Sequence, residues 1–101
     1  MTEIQQSPEA GAVLDIGGDT GALLLHVDAD RDEEEIHVSP LTDPDHRTHT
    51  VVRAHRTPSD ATVHSALFPA LRAGQYRIVG GDDTILEIHG GEVTQHSLRR
   101  A

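Results

Sequence analysis

Histidine is the residue whose chemistry stands out in this 101-residue chain, because it occurs eight times. The eight are His26, His37, His46, His49, His55, His64, His89 and His96. Imidazole titrates near neutral pH and is a good ligand for Zn, Cu or Ni. The chain has no H-x-x-x-H, H-x-H or H-E-x-x-H spacing, and His46 and His49 form the closest pair. A metal site would therefore have to be assembled from separate segments.

Strand alternation predicts which of these histidines share a face. In residues 48–56 it places His49, Arg53 and His55 on one side of a single strand. If His55 pairs near Thr62 of the next strand, His55 and His64 become diagonal neighbours on the outer face, about 7–8 Å apart. We therefore expect His49, Arg53, His55 and His64 to form a contact surface. The same geometry makes His55, His64 and His49 the candidate ligands for Zn, Cu or Ni. The alternative is that these positions are simply polar and outward-facing.

A second chemical pattern is the string Asp19-Thr20-Gly21-Ala22, which is the D-T-G-A string of aspartic proteases. In a retropepsin-like dimer, two such aspartates would share one proton. A protease Asp should follow a buried apolar strand, whereas Gly17-Gly18 precedes this one. The favoured interpretation is a chance match in a glycine-rich turn. The chain is thus not expected to be an enzyme.

Composition narrows the set of partners. The formal net charge is −9, with seventeen acidic residues against eight arginines and no lysine. Such a field repels nucleic acid and anionic lipid, so neither is an expected partner. Cysteine is absent, which removes disulfides and thiolate sites. No run of about 20 apolar residues is present and the N-terminus lacks a basic, apolar leader pattern, so the cytoplasm is the expected location.

The elements that must position these residues are short and β-suited. Residues 1–9 are predicted to be a flexible tail, and residues 10–101 a single domain. Turn signals separate seven or eight short strands, and no segment has the pattern of an amphipathic helix. The strands are expected at residues 10–16, 22–27, 36–39, 48–56, 61–68, 74–79, 85–89 and 92–98, with an acidic loop over 28–35 and a hairpin turn over 57–60. This arrangement predicts an all-β antiparallel sandwich, immunoglobulin-like or prealbumin-like.

The centre of the predicted sandwich is the segment 65–79, which contains both aromatic residues, Phe68 and Tyr76. Pro69 and Gly74 separate its two apolar runs, which indicates a strand, a sharp corner and a second strand. Tyr76 is expected to be packed inside while its hydroxyl fixes the backbone of the corner, as a tyrosine corner does. Phe68 and Leu71 are expected to be buried with it.

Two resemblances accompany these patterns. The spacing Leu71-x-x-Gly74-x-Tyr76-x-Ile78, with Gly90-Gly91-Glu92-Val93-Thr94 after it, resembles the prealbumin-like sandwiches that include collagen-adhesin B-type repeats. The stretches Gly17-Gly18-Asp19-x-Gly21-Ala22, Arg47-Thr48-His49 and 68–76 (F-P-A-L-x-A-G-x-Y) resemble a set of short, lysine-poor actinobacterial all-β proteins, some automatically labelled phospholipase. Val79 departs from that set, where an aromatic is expected.

The phospholipase label is not supported by the residues, because a serine lipase needs a G-x-S-x-G elbow and the chain has none. The leading prediction is a small, acidic, non-enzymatic interaction module that contacts a protein partner or a second copy of itself. Transition-metal binding through surface histidines is the first alternative. An aspartic protease dimer through Asp19 is the second.

Overall fold

The computed structural model describes residues 16–81 and 84–98 and shows an all-β sandwich of two four-stranded sheets. The expected tail at 1–9 and most of the expected strand at 10–16 lie outside these residues. The strands are β1 (Thr20–Val27), β2 (Glu35–Pro40), β3 (Thr48–Val51), β4 (Arg53–Arg56), β5 (Thr62–Arg72), β6 (Gly74–Ile78), β7 (Ile85–Ile88) and β8 (Val93–Ser97). One short 3-10 helix, Ala29–Arg31, lies in the acidic loop. The predicted fold class is confirmed.

The strand order is that of a Greek-key sandwich. Sheet A has the order β4-β5-β1-β8 and sheet B the order β3-β2-β6-β7. Every described strand pair is antiparallel except β1 with β8, which is parallel. The order β4-β5-β1 facing β3-β2-β6-β7 matches the D-E-B and C′-C-F-G strands of an immunoglobulin-type domain. Strand β8 occupies the edge beside β1 where such a domain has strand A.

The core lies between the two sheets and is almost wholly aliphatic. β1 is central in sheet A, and its apolar run is buried along most of its length, as predicted. Inward-facing side chains from both sheets form one cluster: Leu23, Leu25, Val27, Ile36, Val38, Val52, Ala66, Phe68, Leu71, Tyr76, Ile78, Leu86 and Ile88. Phe68 is the largest fully buried side chain. Burial of such aliphatic surface is the main source of stability for a domain of this size.

The strand expected over residues 48–56 is two strands in different sheets. β3 pairs with β2 in sheet B, and β4 pairs with β5 in sheet A. The chain changes sheets at Val52, whose side chain is fully buried. The Val52 N–H donates to the Glu34 carbonyl and the Val52 carbonyl accepts from the Glu33 N–H. These bonds satisfy the N–H and the carbonyl of Val52, which would otherwise be buried without hydrogen-bond partners.

The corner between β5 and β6 lies further along the chain than Pro69 suggested. β5 runs through Pro69 and ends at Arg72, and the chain turns at Ala73 and Gly74. The φ of Gly74 is +148°. Pro69 is tolerated because the register with β1 shifts between Gly21 and Leu23, which places the proline at a β-bulge. The expectation that the strand stops at Phe68 was wrong for this reason.

Tyr76 forms the predicted tyrosine corner. Its side chain is buried in the core and its hydroxyl donates a 2.7 Å hydrogen bond to the Arg72 carbonyl, four residues upstream. The bond crosses the β5–β6 corner and so ties the two sheets together where the chain passes between them. Burial raises the pKa of the Tyr76 phenol above its usual value of 10.0, and the charge of Arg72 partly offsets this rise.

The alkaline titration of the protein should therefore report on this corner directly. Tyr76 is the only tyrosine and the chain has no tryptophan, so tyrosinate absorbance belongs to one group. We expect its midpoint above 10.0 in the folded protein and near 10.0 in 6 M guanidinium chloride. Because the folded pKa is raised, the associated stability is present below about pH 10 and is lost as pH rises through the folded value.

A matched variant completes this test. Tyr76→Phe keeps the ring but leaves the Arg72 carbonyl without this donor, so urea unfolding should show a loss of about 1 kcal/mol at pH 7. The variant should also lack the stability loss above pH 10 that the phenol causes. Equal titration midpoints in the folded and unfolded wild type would contradict the account of the corner.

Candidate functional site

The strand that changes sheets creates the site at which most of the predicted contact residues meet. β4 pairs with β5 only over Thr62 to Ser65, where Arg53 lies opposite Ser65. The residues before Arg53 belong to β3 in sheet B, so β3 and β5 lie in different sheets and diverge. An open groove of about 340 Å³ lies between them. Three of the predicted contact residues, His49, Arg53 and His55, line this groove.

The walls of this groove, which we call the β3–β5 groove, combine polar and apolar groups. Arg53 is exposed, and His49 and His55 flank it along the bent chain. Val51 and Leu67 supply apolar surface. A guanidinium beside two imidazoles and an apolar floor is suited to an anionic side chain carried on a partly apolar polypeptide.

His64, the fourth predicted contact residue, lies on the other side of sheet A. The register pairs His55 with Val63 and Ala54 with His64, so His55 and His64 point to opposite faces. His64 lies opposite the core residue Val27, and its side chain is only 13% exposed. Its Nε2 is 3.7 Å from a carboxylate oxygen of Asp32 in the acidic loop. The expected outer-face pairing of His55 with His64 was therefore wrong.

The observed register of β4 with β5 differs from the expected register because the β4–β5 turn is longer. The sequence indicated a four-residue turn at 57–60, but Ala61 also belongs to it: its carbonyl accepts from the Thr57 N–H, and Arg56 pairs with Thr62. Asp60 has a positive φ of 70° and closes the turn. A register change of one residue moves every side chain to the opposite face.

The predicted metal ligands are consequently not gathered in one place. His49 belongs to sheet B, His55 to the outer side of sheet A and His64 to its inner side. Within residues 16–81 and 84–98, no group of three or more His, Asp or Glu side chains is close enough to hold a metal ion. The register does bring together one histidine pair that the sequence did not single out, His37 and His49.

Asp19, the candidate protease residue, lies in an exposed turn that leads into β1. The turn is closed by two backbone hydrogen bonds of 2.9 Å between Gly17 and Thr20. The backbone carbonyl of Asp19 accepts from the Ala73 N–H, so this turn also supports the β5–β6 corner. Asp19 thus has an evident structural position. The interpretation of its string as a chance match stays a prediction, and so does the alternative of an aspartic protease dimer.

A larger open cavity of about 600 Å³ lies between the 41–47 loop and the β5–β6 corner. Asp43 and His46 contribute from the loop, and Leu71, Arg72 and Tyr76 contribute from the corner. The sequence does not predict this cavity, because the loop and the corner meet only through the pairing of β2 with β6. Its charged groups carry both signs, and no described feature selects one kind of ligand.

The comparisons with known proteins assign no family to this chain. No protein-family model matches the chain, and no curated protein or solved structure matches it. The resemblance to prealbumin-like sandwiches and to short actinobacterial proteins therefore stays a prediction. In the described part of the chain, no helix has the length and apolar character that crossing a bilayer requires.

The structural position of His64 can be tested by its effect on stability. His64→Ala removes a largely buried side chain beneath the acidic loop, so the free energy of unfolding should fall by about 1–2 kcal/mol in urea titrations at pH 7. The control is His89→Ala, because His89 is exposed and outside the strands. Its effect should stay within about 0.5 kcal/mol. Equal effects of the two substitutions would contradict the inward placement of His64.

Proposed function

We propose that this chain is a non-enzymatic binding module and that the β3–β5 groove is its contact surface. The observation that carries the proposal is the convergence of His49, Arg53 and His55 on this groove at the point where the strand changes sheets. The lack of a lipase elbow and of cysteine in the sequence supports a binding role. So does the position of Asp19 in an exposed turn.

The proposed partner is a protein that presents an extended acidic segment. Arg53 is a permanent cation, and the residues that line the groove include no carboxylate, although the whole chain has a net charge of −9. Long-range repulsion from the rest of the molecule disfavours polyanions such as nucleic acid, whereas a short segment with a few carboxylates can reach the guanidinium. Val51 and Leu67 can contact apolar residues between those carboxylates.

The edge of β5 beside the groove supports a polypeptide partner. Over residues 66–72, β5 pairs with β1 on one side, and no strand of the described residues pairs with it on the other. Extended peptides add to such edges through backbone hydrogen bonds. Pro69 has no N–H to donate, so it interrupts the edge and favours a short segment over a continuous added strand.

Binding of a labelled peptide tests this proposal. The probe is a fluorescein-labelled peptide of alternating Glu and Val, followed by fluorescence anisotropy at low salt. We expect saturable binding that weakens as salt is raised, because the contact to Arg53 is electrostatic. Arg53→Ala should weaken binding at least fivefold.

The matched control is Arg77→Ala, which removes an exposed arginine from strand β6 in the opposite sheet. It should bind the peptide like the wild type. Equal binding by Arg53→Ala and Arg77→Ala would show that net charge, and not the groove, determines the affinity. Sedimentation velocity of the unlabelled protein tests the second candidate partner, which is another copy of this chain. Self-association through the same groove should also be lost in Arg53→Ala.

A further inference from the structure

The outer face of sheet B carries a histidine pair that the groove does not explain. His37 in β2 and His49 in β3 are directly opposite in the antiparallel register. Their rings are stacked, with centroids 5.2 Å apart and planes at 29°. The side chain of His37 is 37% exposed and His49 is exposed, so both rings can be reached from solvent. Two imidazoles held this close present two nitrogen ligands on one pair of hydrogen-bonded strands.

Glu35 gives this pair the environment of a metal ligand. It lies two residues before His37 on the same strand, and its Oε1 is 3.3 Å from His37 Nε2. An ionised carboxylate only accepts hydrogen bonds, so in the neutral imidazole Nε2 carries the proton and Nδ1 keeps its lone pair. Metal-binding histidines commonly have this arrangement, in which a carboxylate fixes the tautomer and the orientation of the ring.

We propose that His37 and His49 together bind one divalent late transition metal ion, such as Zn²⁺ or Ni²⁺, with Glu35 orienting His37. Imidazole nitrogen is a preferred ligand for these ions, and it forms bonds of about 2.0–2.1 Å. Side-chain torsions of the exposed His49 supply the movement from the stacked arrangement, while His37 keeps its contact with Glu35 and the strands keep their register. Two protein ligands leave the other coordination positions to water, so the site is weaker than a closed four-ligand site.

The surrounding charges are compatible with a cation. Arg77 is the exposed cation of the neighbouring strand β6, and it lies opposite Ser39, two residues along β2 from His37. Glu35 lies on the side of the pair away from Arg77, and the whole chain carries a charge of −9. Neither Arg53 nor His55 is needed for this site, so it is independent of the peptide contact except for the shared residue His49.

Isothermal titration calorimetry of the full chain with ZnCl₂ and with NiCl₂ tests the proposal. We expect one site per chain in the wild type. His37→Ala and His49→Ala should each lower the affinity at least tenfold, and Glu35→Gln should lower it by about tenfold. His89→Ala and Arg53→Ala are the controls and should keep the wild-type affinity. Arg53→Ala also separates this proposal from the peptide-binding proposal, since it should lose only peptide.

An NMR measurement on the wild type covers the case in which a variant does not fold. Imidazole resonances should shift on addition of ZnCl₂, with His37 and His49 affected first. The proposal is wrong if other histidines respond first or if no ion binds more tightly than 1 mM. It is also wrong if His37→Ala folds and keeps the wild-type affinity.

Discussion

The passage of one chain segment from sheet B to sheet A at Val52 is the constraint on which the surface of this protein depends. Val52 is fully buried between the sheets, and its backbone is hydrogen-bonded to Glu33 and Glu34, the two residues before β2. These bonds fix the point at which β3 ends and β4 begins. Because alternation continues through the bend, His49, Val51, Arg53 and His55 stay on the outer side while Val52 points inward.

The same constraint explains how the polar residues are distributed. Upstream of Val52 the outer side chains belong to sheet B, where His49 meets His37. Downstream they belong to sheet A, where Arg53 and His55 border β5. The divergence of β3 from β5 opens the groove between these two strands. The change of sheets at Val52 thus separates two adjacent surfaces, the groove that we propose binds an acidic polypeptide segment and the histidine pair that we propose binds a metal ion.

The opposite end of the sandwich depends on a second tie. There the chain passes from β5 in sheet A to β6 in sheet B, and Tyr76 fastens this passage through its bond to the Arg72 carbonyl. Turn 17–20 adds a backbone bond from Ala73 to Asp19. A core without tryptophan, with a single phenylalanine, has few large side chains to lock its sheets together. Hydrogen bonds at the chain crossings therefore matter more than in a larger domain.

The sequence predicted most of the fold because its signals are local. The apolar run in β1, the glycine turns and the Tyr76 spacing each indicate one element without knowledge of its neighbours. What the sequence could not predict depends on contacts between distant segments. The pairing of β2 with β3 brings His37 to His49, and only the sheet order shows that these two strands are neighbours.

Two errors show how small physical differences change a predicted site. Inclusion of Ala61 in the turn shifted the β4–β5 register by one residue, so that Ala54, and not His55, shares the inner face with His64. A β-bulge at Pro69 let β5 continue to Arg72, which lengthened the edge beside the groove. Both features depend on backbone hydrogen bonds, which composition and alternation do not reveal.

Engineered disulfides measure the strand register most directly, because the natural chain contains no cysteine. The double variant His37→Cys/His49→Cys places the two sulfurs on directly opposed residues of one face, where a disulfide fits. We predict that it forms an intramolecular disulfide on oxidation and stays folded. The double variant His55→Cys/His64→Cys should stay reduced as a monomer, because its side chains point to opposite faces. Ready crosslinking of the second pair, or failure of the first, would contradict the sheet change at Val52 and the register derived from it.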